Sequence, residues 1–147
     1  MERVRIRYNI KSGTDFIKEL REEVDQYFAR TNKSKNGNAE LYIKAGIMLS
    51  LYMVPYMIIV SGGIYTVPAL IIAYFAMGLG KAGVGMGVMH DANHGAYSTN
   101  PRVNNALGGI LNFVGGYHIN WRIQHNVLHH SYTNVHDHDE DIDKGIM

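Results

Sequence analysis

The chain has 147 residues, enough for one soluble domain or for a few membrane spans with flanks. Its formal net charge of +1 argues against a general nucleic-acid binder. The absence of cysteine excludes disulfides, iron–sulfur clusters, thiolate-bound haem and cysteine nucleophiles, so any metal must be held by nitrogen and oxygen.

Residues 3–11, RVRIRYNIK, alternate sharply: Val4, Ile6, Tyr8 and Ile10 share one side, and Arg3, Arg5, Arg7 and Lys11 the other. Period two marks a half-buried strand. No partner strand follows, so an extended segment lying on a protein or lipid surface fits equally well. Ser12-x-x-Asp15 is a capping pattern. Phe16, Leu20, Val24, Tyr27 and Phe28 then recur every three or four residues, which predicts an amphipathic surface helix over 14–30. TNKSKNGN (31–38) reads as a polar linker, so residues 1–40 form a separate N-terminal segment.

LYIKAGIMLSLYMVPYMIIV (41–60) carries one charge, Lys44, and IYTVPALIIAYFAMGLG (64–80) carries none. A hydrocarbon core of ~30 Å needs ~20 helical residues. The two stretches, joined by SGG (61–63), predict a tight hairpin of spans at about 41–60 and 64–82. Pro55 and Pro68 are tolerated in such helices. Two buried helices of a soluble core are the alternative, but little else in the chain could cover them. Ten of the fourteen Lys and Arg residues lie in 1–44, which places that end in the cytoplasm. Two crossings bring the chain back to the cytoplasm near Lys81, whose ammonium can snorkel to the headgroups. Gly83 and Gly87 form a GxxxG pair that allows close helix approach. If the second span runs on as one helix, His90 stands ~13 Å beyond Lys81. VNNALGGILNFVGGYHI (103–119) is too short and glycine-rich to span, and reads as an interfacial or re-entrant helix. The predicted class is an all-α integral membrane protein.

Five of the eight histidines gather in HDANH (90–94) and HNVLHH (125–130). On an α-helix His90 and His94 share a face, as do His125 and His129, with His130 about 100° further round. Imidazole suits iron, zinc, copper and nickel. A catalytic zinc usually takes three protein ligands, so five histidines fit a site for two metal ions, or half of one. His118, beside a glycine pair, is expected to be structural. His136 and His138 sit in the acidic run HDHDEDID, either a solvated loop or one that positions the site. Asp137, Asp139, Asp141 and Asp143 alternate there without the glycine of a calcium loop. HDANH also has the spacing of the HExxH zinc-protease helix, with Asp91 in the place of the glutamate, but that reading leaves HNVLHH unexplained.

HDANHGAYS resembles the first histidine box, HxxxH, of the membrane fatty acid desaturases. WRIQHNVLHHSYTN followed by DEDID resembles their second box, HxxxHH. The likeness is to the acyl-CoA and acyl-lipid desaturases of the bacterial linoleoyl-CoA, front-end type, and it runs from the N-terminal helix to the end of the chain.

The resemblance implies a di-iron centre that activates O2 and removes hydrogen from two adjacent methylenes of a long acyl chain. Such methylenes are too weakly acidic for side-chain acid–base chemistry. His90, His94, His125, His129 and His130 would be iron ligands. Asp91, Asn93, Asn126 and Asp141 would fix imidazole tautomers, and Trp121 and Arg122 would line the acyl or headgroup site. The implied partners are membrane lipid, an acyl-CoA or acyl-lipid substrate, O2 and an external electron donor such as ferredoxin or cytochrome b5, in a bacterial cytoplasmic membrane with both boxes on the cytoplasmic side. The family's third box, QxxHH or HxxHH, does not occur before Met147. Residues 41–147 are therefore expected to be the N-terminal half of a desaturase domain, inactive alone. A related acyl hydroxylase, a membrane zinc metalloprotein, and a membrane scaffold with incidental histidines are the alternatives.

Overall fold

The computed structural model describes residues 13–139 and 141–142. They are helical, with no strand among them, as the apolar periodicity predicts. The alternating segment 3–11, Ser12 and Asp143 lie outside the described residues. The chain divides after Lys35 into two units.

The first unit is built on α1 (Thr14–Thr31). Gly13 holds its cap position with φ 89°, a left-handed conformation that glycine adopts without strain. Asn32, also left-handed, ends the helix. No residue of α1 is buried, and Phe16, Ile17, Leu20, Val24 and Tyr27 form an exposed apolar face.

The second unit begins with a hairpin of α2 (Ala39–Val60) and α3 (Val67–Gly83). The Asn38 side chain caps α2 by accepting from the Leu41 N–H at 3.1 Å. The connection is longer than the predicted three residues. Thr66 takes the cap position of α3 and Pro68 its first turn, which leaves Ile64 and Tyr65 in the link. Beyond Gly83 the helix continues through a π-helical segment, Val84–Met89, into α4 (His90–Asn93). The continuous helix Val67–Asn93 has 27 residues, so at ~1.5 Å per residue it is ~40 Å long and outruns a ~30 Å hydrocarbon layer. Only 6% and 17% of the apolar windows of the two long helices are buried. Core helices of a soluble protein would be mostly covered; these present their side chains outward, as lipid-facing spans do.

The helices cross at Gly80. A Cβ there would lie 2.6 Å from the Tyr52 nitrogen and 2.8 Å from the Met48 carbonyl oxygen. The expected Gly83/Gly87 pair is not the crossing: a Cβ at Gly83 meets only the flexible Met48 side chain, and one at Gly87 meets nothing within 4 Å.

After α4 the chain turns back at Gly95 (φ 75°). The buried Asn104 side chain holds this turn, accepting from the Ser98 N–H and donating to the Ser98 and Gly95 carbonyls. Tyr97 is fully buried against Ala45, Val88 and Ala92, and its hydroxyl donates to the Leu41 carbonyl at 2.8 Å. The segment after the first histidine pair is thereby pinned to the start of α2. Tyr97→Phe should keep the packing and lose this bond, lowering stability by about 1 kcal/mol in a denaturant titration; no measurable change would mean that the bond contributes nothing net.

Next come α5 (Pro101–Gly109), capped by Asn100, and a 3-10 turn, Ile110–Val114, that Gly115 (φ 93°) terminates. Their fourteen residues are too few to span, as expected. The last helix is composite: α6 (His118–Trp121), a π-helical segment Arg122–His129, and α7 (His130–Tyr132).

Candidate metal centre

The two histidine motifs lie on two composite helices that meet side by side. His90 and His94 follow the π segment of the first helix, and their ring centroids are 4.6 Å apart. His125 sits 5.1 Å from His90 and 5.2 Å from His94; His130 is 4.9 Å from His94. His129 stacks on His125 at 5.0 Å. All five imidazoles therefore gather in one place. His130, expected about 100° further round than His129, also joins the cluster. Arg122–His129 is π-helical, and an i→i+5 turn takes in more residues, so positions four and five along fall on either side of the first. His129 and His130 are both about 5 Å from His125 for this reason.

Carboxylates address the Nδ1 atoms of three rings. Asp91 lies 3.0 Å from His90 Nδ1, Asp141 2.6 Å from His125 Nδ1, and Asp139 2.9 Å from His129 Nδ1. An imidazole that donates Nδ1–H to a carboxylate turns its Nε2 lone pair outward. Asp139 was not singled out in the sequence. It is the one acid of the described part of the run HDHDEDID that is buried, and it also accepts from the Asn134 and Asp141 backbone N–H groups at 2.7 and 3.1 Å. Burial pushes its carboxyl up, but these three hydrogen bonds outweigh it and hold the group below the usual carboxylate range. Its position in an alternating acidic run gave no sign of which member turns inward.

Asn93 and Asn126 have partners other than those expected. Asn93 is buried against Gly108 and reaches its carbonyl at 3.5 Å. Asn126 donates to the Asn93 carbonyl at 2.9 Å, tying the second histidine helix to the first. Among the described residues neither amide bonds an imidazole. His118 is structural in its bonding: its N–H donates to the Asn112 side chain at 3.1 Å, and its ring meets the same side chain. Trp121 stacks on His125 at 4.5 Å with edge contacts to His90 and His94, so it walls the cluster. Arg122 lines a separate polar cleft of about 580 Å³ with Asn36, Asn93, His94 and Asn126.

Ligand atoms of His90, His94 and His125 all lie within 4.8 Å of one another. Two imidazoles on one ion at ~2.1 Å each are at most ~4.2 Å apart, so small ring rotations would close this set on a metal. Partial desolvation and then the neighbouring His90, His130 and His125 lower the pKa of His94, which favours the neutral ring that a metal needs. A second group, His125, His129 and Asp141, is equally compact. There Asp141 is already within hydrogen-bonding distance of His125 Nδ1, so its geometry is that of a support for the ring rather than a ligand. The all-nitrogen and oxygen donor set suits iron or zinc.

Residues 64–145 match the family model for fatty acid desaturases. The chain is 35% identical over 138 residues to an sn-1 linoleoyl-lipid 6-desaturase of Synechocystis sp., covering 94% of this chain and 38% of that protein. It is 30% identical over 139 residues to an acyl-lipid (8-3)-desaturase of Physcomitrium patens, covering 93% and 28%. A chloroplastic acyl-lipid (7-3)-desaturase of Chlamydomonas reinhardtii is 42% identical over 79 residues, 54% of this chain and 15% of that one. The chain thus spans about a third of the length of the curated relatives that it matches across most of its own. No solved structure matches it. The family match takes in more than half of the chain, with the second span and both histidine helices inside it, and the chain belongs to the fatty acid desaturase family.

Proposed function

We propose that these residues form part of an O2-dependent acyl-lipid desaturase and contribute five histidines, His90, His94, His125, His129 and His130, to a centre of two iron ions. The observation that carries this reading is the convergence of imidazole nitrogens from two helices, with carboxylates behind three of the rings. Iron bound there would supply, with O2, the redox chemistry that an unactivated methylene requires. The chain's own residues have simpler tasks. Asp91, Asp139 and Asp141 hold the Nδ1 protons of His90, His129 and His125, which presents their Nε2 atoms to the metal. Trp121 shields one side of the cluster. Arg122 faces the polar cleft, where a lipid headgroup would find a cation.

An acyl-lipid substrate is preferred to acyl-CoA because the relatives named above are lipid desaturases. The electron donor would be a separate ferredoxin or cytochrome b5. The Lys and Arg excess in 1–44 supports a cytoplasmic N-terminus, and two crossings then put the histidines on that same side of a bacterial cytoplasmic membrane. Residues 41–147 would be the first part of the desaturase domain, and further ligands would come from outside them. The short Asp91 carboxylate bonds to its neighbour His90, which weakens its candidacy as a protease base.

The test is fatty acid analysis of a host expressing the longer protein that contains these residues, with metal assay of the purified product. A new cis double bond and iron support the reading. A hydroxylated acyl chain would move it to the sister reaction, and stoichiometric zinc without iron would overturn it. Within the same assay, Asp139→Asn should lower metal affinity by about 10–100-fold, the usual effect of losing a ligand's hydrogen-bonding partner. An amide cannot accept on both sides, so either the Asn134 N–H or the His129 and Asp141 donors would face an NH2 group. Unchanged affinity would remove Asp139 from the site.

A further inference from the structure

Past the Gly80 crossing, between the start of α2 and the end of the second span, lies an apolar groove of about 340 Å³. Leu41, Met48, Gly83, Met86, Gly87 and Tyr97 are among the residues that line it. The space at Gly87 is open, since a Cβ there would touch nothing within 4 Å. Met86 is 80% exposed. Lys44 also lines the groove, and among the described residues it is the only charged one that does. It lies six residues into α2, whose one other charged residue is Glu40, and among the described residues it makes no ion pair or hydrogen bond, not even with Glu40 one turn before it.

These two observations have one common solution. An apolar groove on the outside of a span does not hold water in a bilayer; it is filled by acyl chains. A lysine ~1.5 turns inside the span brings its ammonium to the level of the headgroups. We infer that the groove between α2 and α3 seats one acyl chain of an anionic membrane lipid whose phosphate pairs with Lys44. The inference rests on the bilayer placement of the two spans and not on the chemistry at the histidines. The volume is within the range of ligand-sized sites. The glycine at 87 then has a physical use: it is the gap in the helix surface where the chain lies.

The experiment is native mass spectrometry of the chain after reconstitution in vesicles of equal phosphatidylglycerol and phosphatidylcholine, with iron per chain measured on the same samples. The parent is expected to retain one phosphatidylglycerol with about fivefold preference over phosphatidylcholine, the size of one lysine's attraction at a lipid surface. Lys44→Gln should abolish the preference. Gly87→Leu should abolish retention of both lipids, because its Cβ has open space around it and its side chain enters the groove. Helix content by circular dichroism should match the parent in both variants. Equal retention by all three proteins, or none by the parent, would overturn the inference. So would a dimer lost on Gly87→Leu, since a second copy would then cover the groove. Metal content should be the same in all three, so loss of lipid selectivity and loss of the metal site are read separately.

Discussion

His125→Ala is expected to strip metal from the protein, while His118→Ala leaves the content unchanged. His125 belongs to both compact donor groups. Its ring is within about 5 Å of His90, His94, His129 and His130, and its Nδ1 is held by Asp141. Removing it deletes a donor atom and leaves the Asp141 carboxylate without its imidazole. The loss of affinity should exceed the 10–100-fold range for supporting residues and reach more than about 100-fold. His118 makes its contacts with Asn112, at the start of the same composite helix, and serves as the control for removal of an imidazole as such. Elemental analysis per chain, at matched helix content, decides the matter. Retention of parental metal by the His125 variant would separate the cluster from metal binding altogether.

The second large effect concerns the membrane hairpin. Gly80→Leu should separate the two spans. The atoms a Cβ would strike are backbone: the Tyr52 nitrogen at 2.6 Å, the Met48 oxygen at 2.8 Å and the Leu51 carbonyl carbon at 2.9 Å. No rotamer change can relieve such contacts, so even alanine requires the helices to move apart. Overpacking of this kind costs about 1–3 kcal/mol for small insertions, and leucine should exceed that range. Gly78→Ala is the contrast, since its Cβ meets nothing within 4 Å and alanine favours the helix. Unfolding by denaturing detergent should show a large loss for Gly80→Leu and none for Gly78→Ala. Equal stability of the two would place the crossing elsewhere.

The spans and the histidine cluster were legible in the sequence for different reasons. Uncharged runs near 20 residues report directly on bilayer thickness, and α2 and α3 fall close to the predicted bounds. Histidines four apart report on one helix face, and the two pairs do meet. What the pattern does not encode is the hydrogen-bond register of the backbone. The π segments before His90 and through His125 set the register in which His129 and His130 both come near His125. The close crossing was misplaced because GxxxG names a spacing and not a neighbour: Gly80 faces backbone, and Gly87 faces open space. The acidic run hid Asp139 because strand-like alternation says nothing about a turn. Asn93 and Asn126, next to His94 and His125 in sequence, bond elsewhere because adjacent positions on a helix face different directions.

The continuous helix Val67–Asn93 carries one further consequence. It joins a bilayer span to two of the histidines without an intervening loop. A helix of that length adjusts to a thinner or thicker bilayer by tilting, and a tilt of about 20° would carry its far end sideways by on the order of 10 Å. Tyr97 ties that end to the first span, so the hairpin must respond as a body. The first histidine pair therefore has no loop to take up a change in the tilt of the span, and the Asn126–Asn93 bond hands that change on to the second histidine helix.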